Sequence, residues 1–225
     1  MAAVETLIVS LTGNTIIMEV KDAYNVWAHQ YDTNKNRTRD LEAVSLKATL
    51  DNIQFDSCLE IGCGTGKNTQ WLITKAGHIT AVDLSEEMLS KAKQKIHSAQ
   101  VQFLLADITK DWAFAEGLYD LATFSLVLEH IENLDDVFEK LSNHVKVGGH
   151  VYVGELHPFK QYGGTKARFE TEEGTAIVTC FNHHISDFTE AALRHGFQVV
   201  AVSEYFDDDD RTNLPRILTL LFKKN

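Results

Sequence analysis

The sequence predicts an α/β protein with a Rossmann-like three-layer sandwich. The expected sheet has seven mostly parallel strands with an antiparallel last strand. Two observations lead there. From Asp56 onward, short apolar runs alternate with amphipathic stretches at regular intervals. The first apolar run ends in Gly62-Cys63-Gly64-Thr65-Gly66, a glycine-rich turn before a helix-like segment. Strands alternating with helices make βαβ units, which pair in parallel with right-handed crossovers and helices on both faces.

Taken in order, residues from about Met18 to Asn52 read as helical, with Tyr24, Trp27 and Tyr31 and then Leu41, Val44 and Leu50 at helical spacing. Asn34 to Thr38 is a polar break. Ser57 to Ile61 reads as a buried strand. Asn68 to Ala76 reads as a helix ended by Gly77 as a left-handed cap. His78 to Val82 is the second strand. Ser85 opens a helix with Glu86 and Glu87 in its first turn, where the helix dipole favours negative charge. Met88, Leu89, Ala92 and Ile96 form its apolar face.

Val101 to Ala106 and Tyr119 to Phe124 are the third and fourth strands. Leu134 to Val147 reads as a helix stopped by Gly148-Gly149, and His150 to Gly154 as the fifth strand. The alternation then breaks. Ala167 to Thr171 and Thr175 to Phe181 read as a hairpin around Glu172-Glu173-Gly174. Ser186 caps a helix that Gly196 ends. Gln198 to Tyr205 and Arg216 to Phe222 close the sheet. The expected organisation is an N-terminal helical lid over 1–52 and a main domain over 53–225, with a cap insert at about 157–184.

Composition narrows the function. The 225 residues are 44% hydrophobic and 24% charged, which suits a globular domain with a sizeable core. The formal net charge is −11, and no basic cluster offers itself to a phosphate backbone, so nucleic acid is not the expected partner. No apolar run is long enough to span a bilayer. Met1 to Met18 lacks a basic leader and carries Glu5, so no secretory signal is expected there. Cys58, Cys63 and Cys180 are too few and too scattered for a disulfide framework or a zinc site. A cytoplasmic location is expected on that ground, and no metal.

The glycine-rich turn could serve three cofactors. A dinucleotide fingerprint needs a third glycine where Lys67 stands. A phosphate loop would need glycine at Ile61 and serine or threonine at Asn68. Both fail. What remains is an acidic residue followed by alternating glycines, and Leu59-Glu60-Ile61-Gly62-Cys63-Gly64-Thr65-Gly66 resembles the first motif of the class I S-adenosylmethionine-dependent methyltransferases, small-molecule type, with likeness to the ubiquinone- and biotin-pathway domains. Later landmarks come in that family's order: Val82-Asp83-Leu84, Ala106-Asp107-Ile108, Phe124 to Ile131, and Val145-Lys146-Val147-Gly148-Gly149, where Val147 replaces the usual proline.

The resemblance implies S-adenosylmethionine as donor and S-adenosylhomocysteine as product. It implies that Glu60, Gly62, Cys63, Gly64 and Gly66 surround the donor's methionine part. It implies Asp83 on the ribose, Asp107 on the adenine amino group, Leu84 and Ile108 flanking the ring, and Met88 and Phe124 completing the pocket. Tyr31 and Arg39 would reach from the lid to the methionine carboxylate. The expected acceptor is a small molecule taking methyl on oxygen or nitrogen, under the cap insert, near His157, Tyr162 and Arg168. His183, His184 and His130 are the candidate proton acceptors. Adjacent side chains on an extended segment point oppositely, so at most one of His183 and His184 faces the pocket. A protein or RNA methyltransferase and a non-catalytic donor-binding subunit are the alternatives on the same fold.

Overall fold

The computed structural model describes residues 15–225. The reading of Met1 to Asn14 as free of a secretory signal lies outside the described residues. In chain order the elements are β1 (Thr15–Met18), α1 (Val20–Trp27), α2 (Arg37–Leu50), β2 (Ser57–Ile61), α3 (Thr69–Leu72), β3 (His78–Asp83), α4 (Glu86–Lys95), β4 (Val101–Leu105), β5 (Tyr119–Ser125), α5 (Leu134–Ser142), β6 (Val145–Leu156), α6 (Pro158–Tyr162), β7 (Arg168–Thr171), β8 (Gly174–Val178), α7 (Ile185–Arg194), β9 (Phe197–Tyr205) and β10 (Ile217–Lys224). Short 3-10 turns occur at Leu128–His130 and Asp207–Asp209.

The main sheet has seven strands in the order β4-β3-β2-β5-β6-β10-β9. β10 runs antiparallel to both its neighbours, and the other pairings are parallel. Strands with both faces covered read as nearly continuous apolar runs. Successive residues of β2 show the reason: Cys58 joins one core, with Leu46, Leu72 and Tyr152. Leu59 joins the other, with Phe124, Phe138 and Phe222. The order of strand addition reverses between β2 and β5, and at such a switch point the connections leave in opposite directions and open a crevice for a ligand at the carboxyl ends of the strands.

Helix starts follow their caps. The Ser85 hydroxyl accepts the Met88 N–H at 3.1 Å, and Asn36 and Asn133 cap α2 and α5 in the same way. The helix at 134 is shorter than its sequence predicts. It ends at Ser142, and β6 already starts at Val145, which pairs with Tyr119. Val145 and Val147 are β-branched and favour the pleat. Gly148, at φ +80°, shifts the register against β5 and so makes a bulge, not a helix stop. The helix after the first glycine turn is also short, Thr69–Leu72. α7 starts at Ile185, because the Asp187 carboxylate accepts the His184 N–H at 2.7 Å and sets the capping box two residues before Ser186.

The expected hairpin is present as β7 and β8, but the strand added to it has no counterpart in the sequence reading. β1 pairs in parallel with β8, and β8 with β7, forming a second sheet of three strands. The N-terminal segment and the segment after β6 are thereby one small body. Trp27 of α1 stacks on Phe169 of β7 at 4.9 Å, and Met88 of α4 joins the same cluster. Burying such an aromatic contributes about 1.5–3 kcal/mol, so strand pairing holds this body together and packing fixes it to α4.

Candidate active site

A cavity of about 360 Å³ opens at the carboxyl ends of β2, β3, β4 and β5. Its floor is the glycine-rich turn. Gly62 and Cys63 both donate N–H to the Val82 carbonyl, at 2.8 and 3.0 Å, which folds the turn back across the end of β3. Gly62 has φ +72°, and a Cβ there would fall 2.1 Å from Val127 Cγ2. Only glycine fits both constraints. A Cβ on Gly64 would meet nothing within 4 Å, so this part of the backbone borders open space.

Asp83 ends β3 beside the cavity. Its Oδ2 accepts the Gly64 N–H at 2.8 Å and its Oδ1 the Ser85 N–H at 2.9 Å. Burial raises its carboxyl above the usual range, and those two bonds oppose the rise. Asp107 follows β4. Its Oδ1 accepts from the Thr109 N–H and hydroxyl, at 2.9 and 2.6 Å. Leu84, Met88 and Ile108 supply apolar walls, and Tyr31 closes the cavity from the N-terminal side.

Other expected residues stand behind this lining. Glu60 is buried beneath the turn, where its Oε2 accepts the Thr69 hydroxyl at 2.6 Å and ties β2 to α3. Burial pushes its carboxyl up to about 8. Gly66 sits against α4, where a Cβ would come 2.7 Å from Ile96 Cδ1. Cys63 and Phe124 are buried in the two cores. The Arg39 guanidinium is committed to the loop after α1: it donates to the carbonyls of Tyr31 and Asn34 and lies over the Tyr31 ring at 5.2 Å. It therefore shapes the segment that carries Tyr31 and does not reach the cavity.

The far end of the cavity is formed by Lys21, Tyr24, His130 and Ile131. The Tyr24 hydroxyl lies 2.9 Å from His130 Nε2, and His130 Nδ1 lies 2.7 Å from the Thr179 carbonyl. A carbonyl only accepts, so Nδ1 carries the imidazole proton and Nε2 accepts the Tyr24 hydroxyl. Burial holds the Tyr24 phenol well above its ordinary range and therefore neutral. Sequence reasoning placed Tyr24 in an aromatic helical stripe with Trp27 and Tyr31. That stripe was the available signal, but nothing in it separates the cavity-facing tyrosines from the packed tryptophan.

The remaining candidates lie elsewhere. His183 is buried, its Nε2 2.7 Å from the Ile131 carbonyl, and His184 is exposed, its Nδ1 2.6 Å from the Tyr162 hydroxyl. The pair points oppositely, and neither borders the cavity. His157 is fully buried as the N-cap of α6, with Nδ1 accepting the Phe159 N–H and Nε2 bonding Glu204 at 3.0 Å. Arg168 is exposed on β7. Leu126, which does border the cavity, holds a left-handed φ of +58°. The next three residues are pinned by Glu155, whose carboxylate accepts the N–H groups of Val127, Leu128 and Glu129. Such a backbone is strained by about 1–3 kcal/mol and persists where its surroundings fix it. Among the described residues no group of three or more His, Cys, Asp or Glu is placed to hold a metal ion, and no helix is long and apolar enough to cross a membrane.

The strand order, the glycine turn and the two carboxylates at adjacent strand ends have the arrangement of the class I S-adenosylmethionine-dependent methyltransferase fold. Residues 59–153 match the family described as Methyltransferase domain. An uncharacterized methyltransferase of Emericella nidulans is 26% identical, over 83% of this chain and 78% of that one. The malonyl-[acyl-carrier protein] O-methyltransferase of Bacillus anthracis is 32% identical over 56% of this chain, which spans 48% of that relative's length. Among solved structures, an S-adenosylmethionine-dependent methyltransferase from Mesorhizobium loti superposes with a TM-score of 0.66 at 21% identity, covering 83% of this chain and 100% of the other.

Proposed function

We propose that this chain transfers the methyl group of S-adenosylmethionine to an oxygen or nitrogen atom of a small-molecule acceptor. The observation that carries the reading is a single cavity with two chemically different ends. One end holds Asp83, Asp107 and the glycine backbone, and the other holds Tyr24 hydrogen-bonded to His130.

The donor end fits the group. Asp83 suits ribose hydroxyls, because its backbone bonds leave each oxygen further lone pairs. Asp107 suits an amino group such as that of adenine. Leu84 and Ile108 suit the two faces of a flat ring. The open space beside Gly64 admits close approach of the donor to the backbone. When bound, S-adenosylmethionine supplies a methyl already activated by the positive charge on sulfur.

What the protein adds is alignment, dryness and a place for a proton. Holding donor and acceptor in line contributes about 7–11 kcal/mol in model systems. An acceptor hydroxyl or ammonium must lose a proton. Tyr24 receives it as its own hydroxyl proton passes to His130 Nε2, which the Nδ1–Thr179 bond keeps free to accept. A placed base of this kind is worth about 10²–10⁴-fold. The acidic chain and the small volume of the cavity, about 360 Å³, favour a small acceptor over nucleic acid. The free thiols Cys58, Cys63 and Cys180 accord with a reducing compartment such as the cytoplasm.

Calorimetry with S-adenosylhomocysteine and a tritiated methyl-transfer screen over metabolite pools test the proposal. Micromolar binding and a labelled small product are expected. No heat at saturating ligand would overturn it.

A further inference from the structure

Glu129 belongs to the 3-10 turn after β5 and is 5% exposed. Its backbone does structural work: the N–H bonds Glu155, and the carbonyl accepts the Phe181 N–H at 2.7 Å. Its side chain is lightly held, with the Cys180 thiol and the Gln161 amide facing the carboxyl. Oε2 is buried with no hydrogen-bond partner among the described residues, and Oε1 lies 4.0 Å from His130 Nε2. A buried carboxylate with one oxygen unpartnered is unfavourable, and a glutamine or leucine would fill the same space more cheaply. Of the neighbours that favour an acid here, the His130 imidazole acts most strongly, ahead of Cys180 and Gln161.

The surroundings of His130 single out this acid. Tyr24 faces the ring from α1, and the Thr179 carbonyl and the Cys180 thiol face it from the segment after β8. Lys166 stands near Cys180. Tyr31 and Asp83 act on the Tyr24 phenol and raise it. Glu155 approaches from β6, but its carboxylate is engaged by three backbone N–H groups. Glu129 is the acid beside Nε2, with Oε1 4.0 Å away and Oε2 unpartnered among the described residues, while Cys180 and Gln161 face the same carboxyl.

We propose that Glu129 is a positioning residue, held beside Nε2 as the countercharge for the imidazolium that forms when His130 takes up the acceptor's proton. The inference rests on the reading of His130 as proton acceptor. In the step, the acceptor's bond to hydrogen breaks and its bond to methyl carbon forms, while the carbon–sulfur electron pair stays with sulfur. The proton moves to Tyr24 Oη as the Tyr24 proton moves to His130 Nε2, and the new positive charge stands beside the Glu129 carboxylate. The coupling runs both ways: burial raises the Glu129 carboxyl, and an imidazolium at His130 opposes that rise.

The test is the titration midpoint of the His130 imidazole, read by NMR on histidine-labelled full chain. Glu129→Gln is expected to lower the midpoint by about one unit or more, and Glu129→Asp to restore most of it. A Glu129→Gln midpoint within roughly 0.2 units of wild type would overturn the proposal. If that variant does not fold, wild-type chain labelled at the glutamate carboxyl carbons decides. The Glu129 resonance must then move at the His130 midpoint, and a resonance indifferent to it overturns the inference. Failure of S-adenosylhomocysteine to bind would end the functional reading without touching this titration, so the two failures are distinguishable.

Discussion

The Asp32 carboxylate accepts the Thr65 hydroxyl at 2.6 Å, joining the loop after α1 to the glycine-rich turn. Its other oxygen pairs with Lys95 at the end of α4, at 2.7 Å. Asn25 adds a second tie, accepting the Ser85 hydroxyl at 2.7 Å. The N-terminal segment that carries Tyr24 and Tyr31 is thus fastened to the elements that form the opposite wall.

The first prediction concerns this fastening. Asp32→Ala should weaken S-adenosylhomocysteine binding about threefold to tenfold, the loss of one charge-assisted bond and one partly exposed ion pair. Burial works against ionisation of Asp32, but the Lys95 and Thr65 bonds outweigh it and lower its carboxyl below the usual range. A lowered acid contributes above its unfolded value near 3.9, and the contribution fades as pH falls through the folded value. The affinity gap should therefore be full at pH 7 and narrow below about pH 4. Calorimetry across pH checks both halves, and equal affinity at pH 7 would show the tie to be idle.

The second concerns the turn itself. Gly62→Ala places a methyl 2.1 Å from Val127 Cγ2 at φ +72°. Overpacking and left-handed backbone together should cost about 2–4 kcal/mol in urea unfolding. Adding Val127→Ala should recover the overpacking part and leave the backbone part. A double variant no more stable than Gly62→Ala would mean that Val127 is not the obstacle.

The third separates the two carboxylates at the donor end. Both oxygens of Asp83 accept backbone N–H groups, so an amide must set its own N–H₂ against one of them. Among the described residues only Oδ1 of Asp107 accepts hydrogen bonds, both from Thr109. Asp83→Asn should lower S-adenosylhomocysteine affinity tenfold or more, about 1.4 kcal/mol, and Asp107→Asn by less. The reverse order would contradict the assigned roles.

The sheet and the turn were readable because both are local. A buried parallel strand is a short apolar run, and the glycines mark backbone that other residues rarely adopt. The far end of the cavity is not local. Tyr24 and His130 are 106 residues apart and meet only because β1 pairs with β8, which no periodicity announces. Likewise, the sequence cannot show that Arg39 is spent on loop carbonyls or that His157 is an N-cap. In both, a polar residue near the right motif had a backbone partner instead. Glu60 reads as a donor contact by motif, yet the alternation of β2 turns it under the turn toward Thr69.

That burial yields the last prediction. Glu60 has its carboxyl pushed up to about 8 by burial, with the Thr69 bond opposing the rise and the charges of Glu42 and Asp83 adding to it. An unfolded glutamate titrates near 4.3. Between those values the unfolded chain releases this proton and the folded chain keeps it. Stability from this group is therefore full below about pH 4 and is lost as pH rises toward about 8, on the order of a few kcal/mol in all. Glu60→Gln removes the titration and keeps an acceptor oxygen for the Thr69 hydroxyl. Its urea midpoint should gain on wild type steadily from pH 5 to pH 8.5. Parallel midpoints over that range would show that Glu60 ionises in the folded chain as it does in water, and that the bond to Thr69 is strong enough to offset its burial.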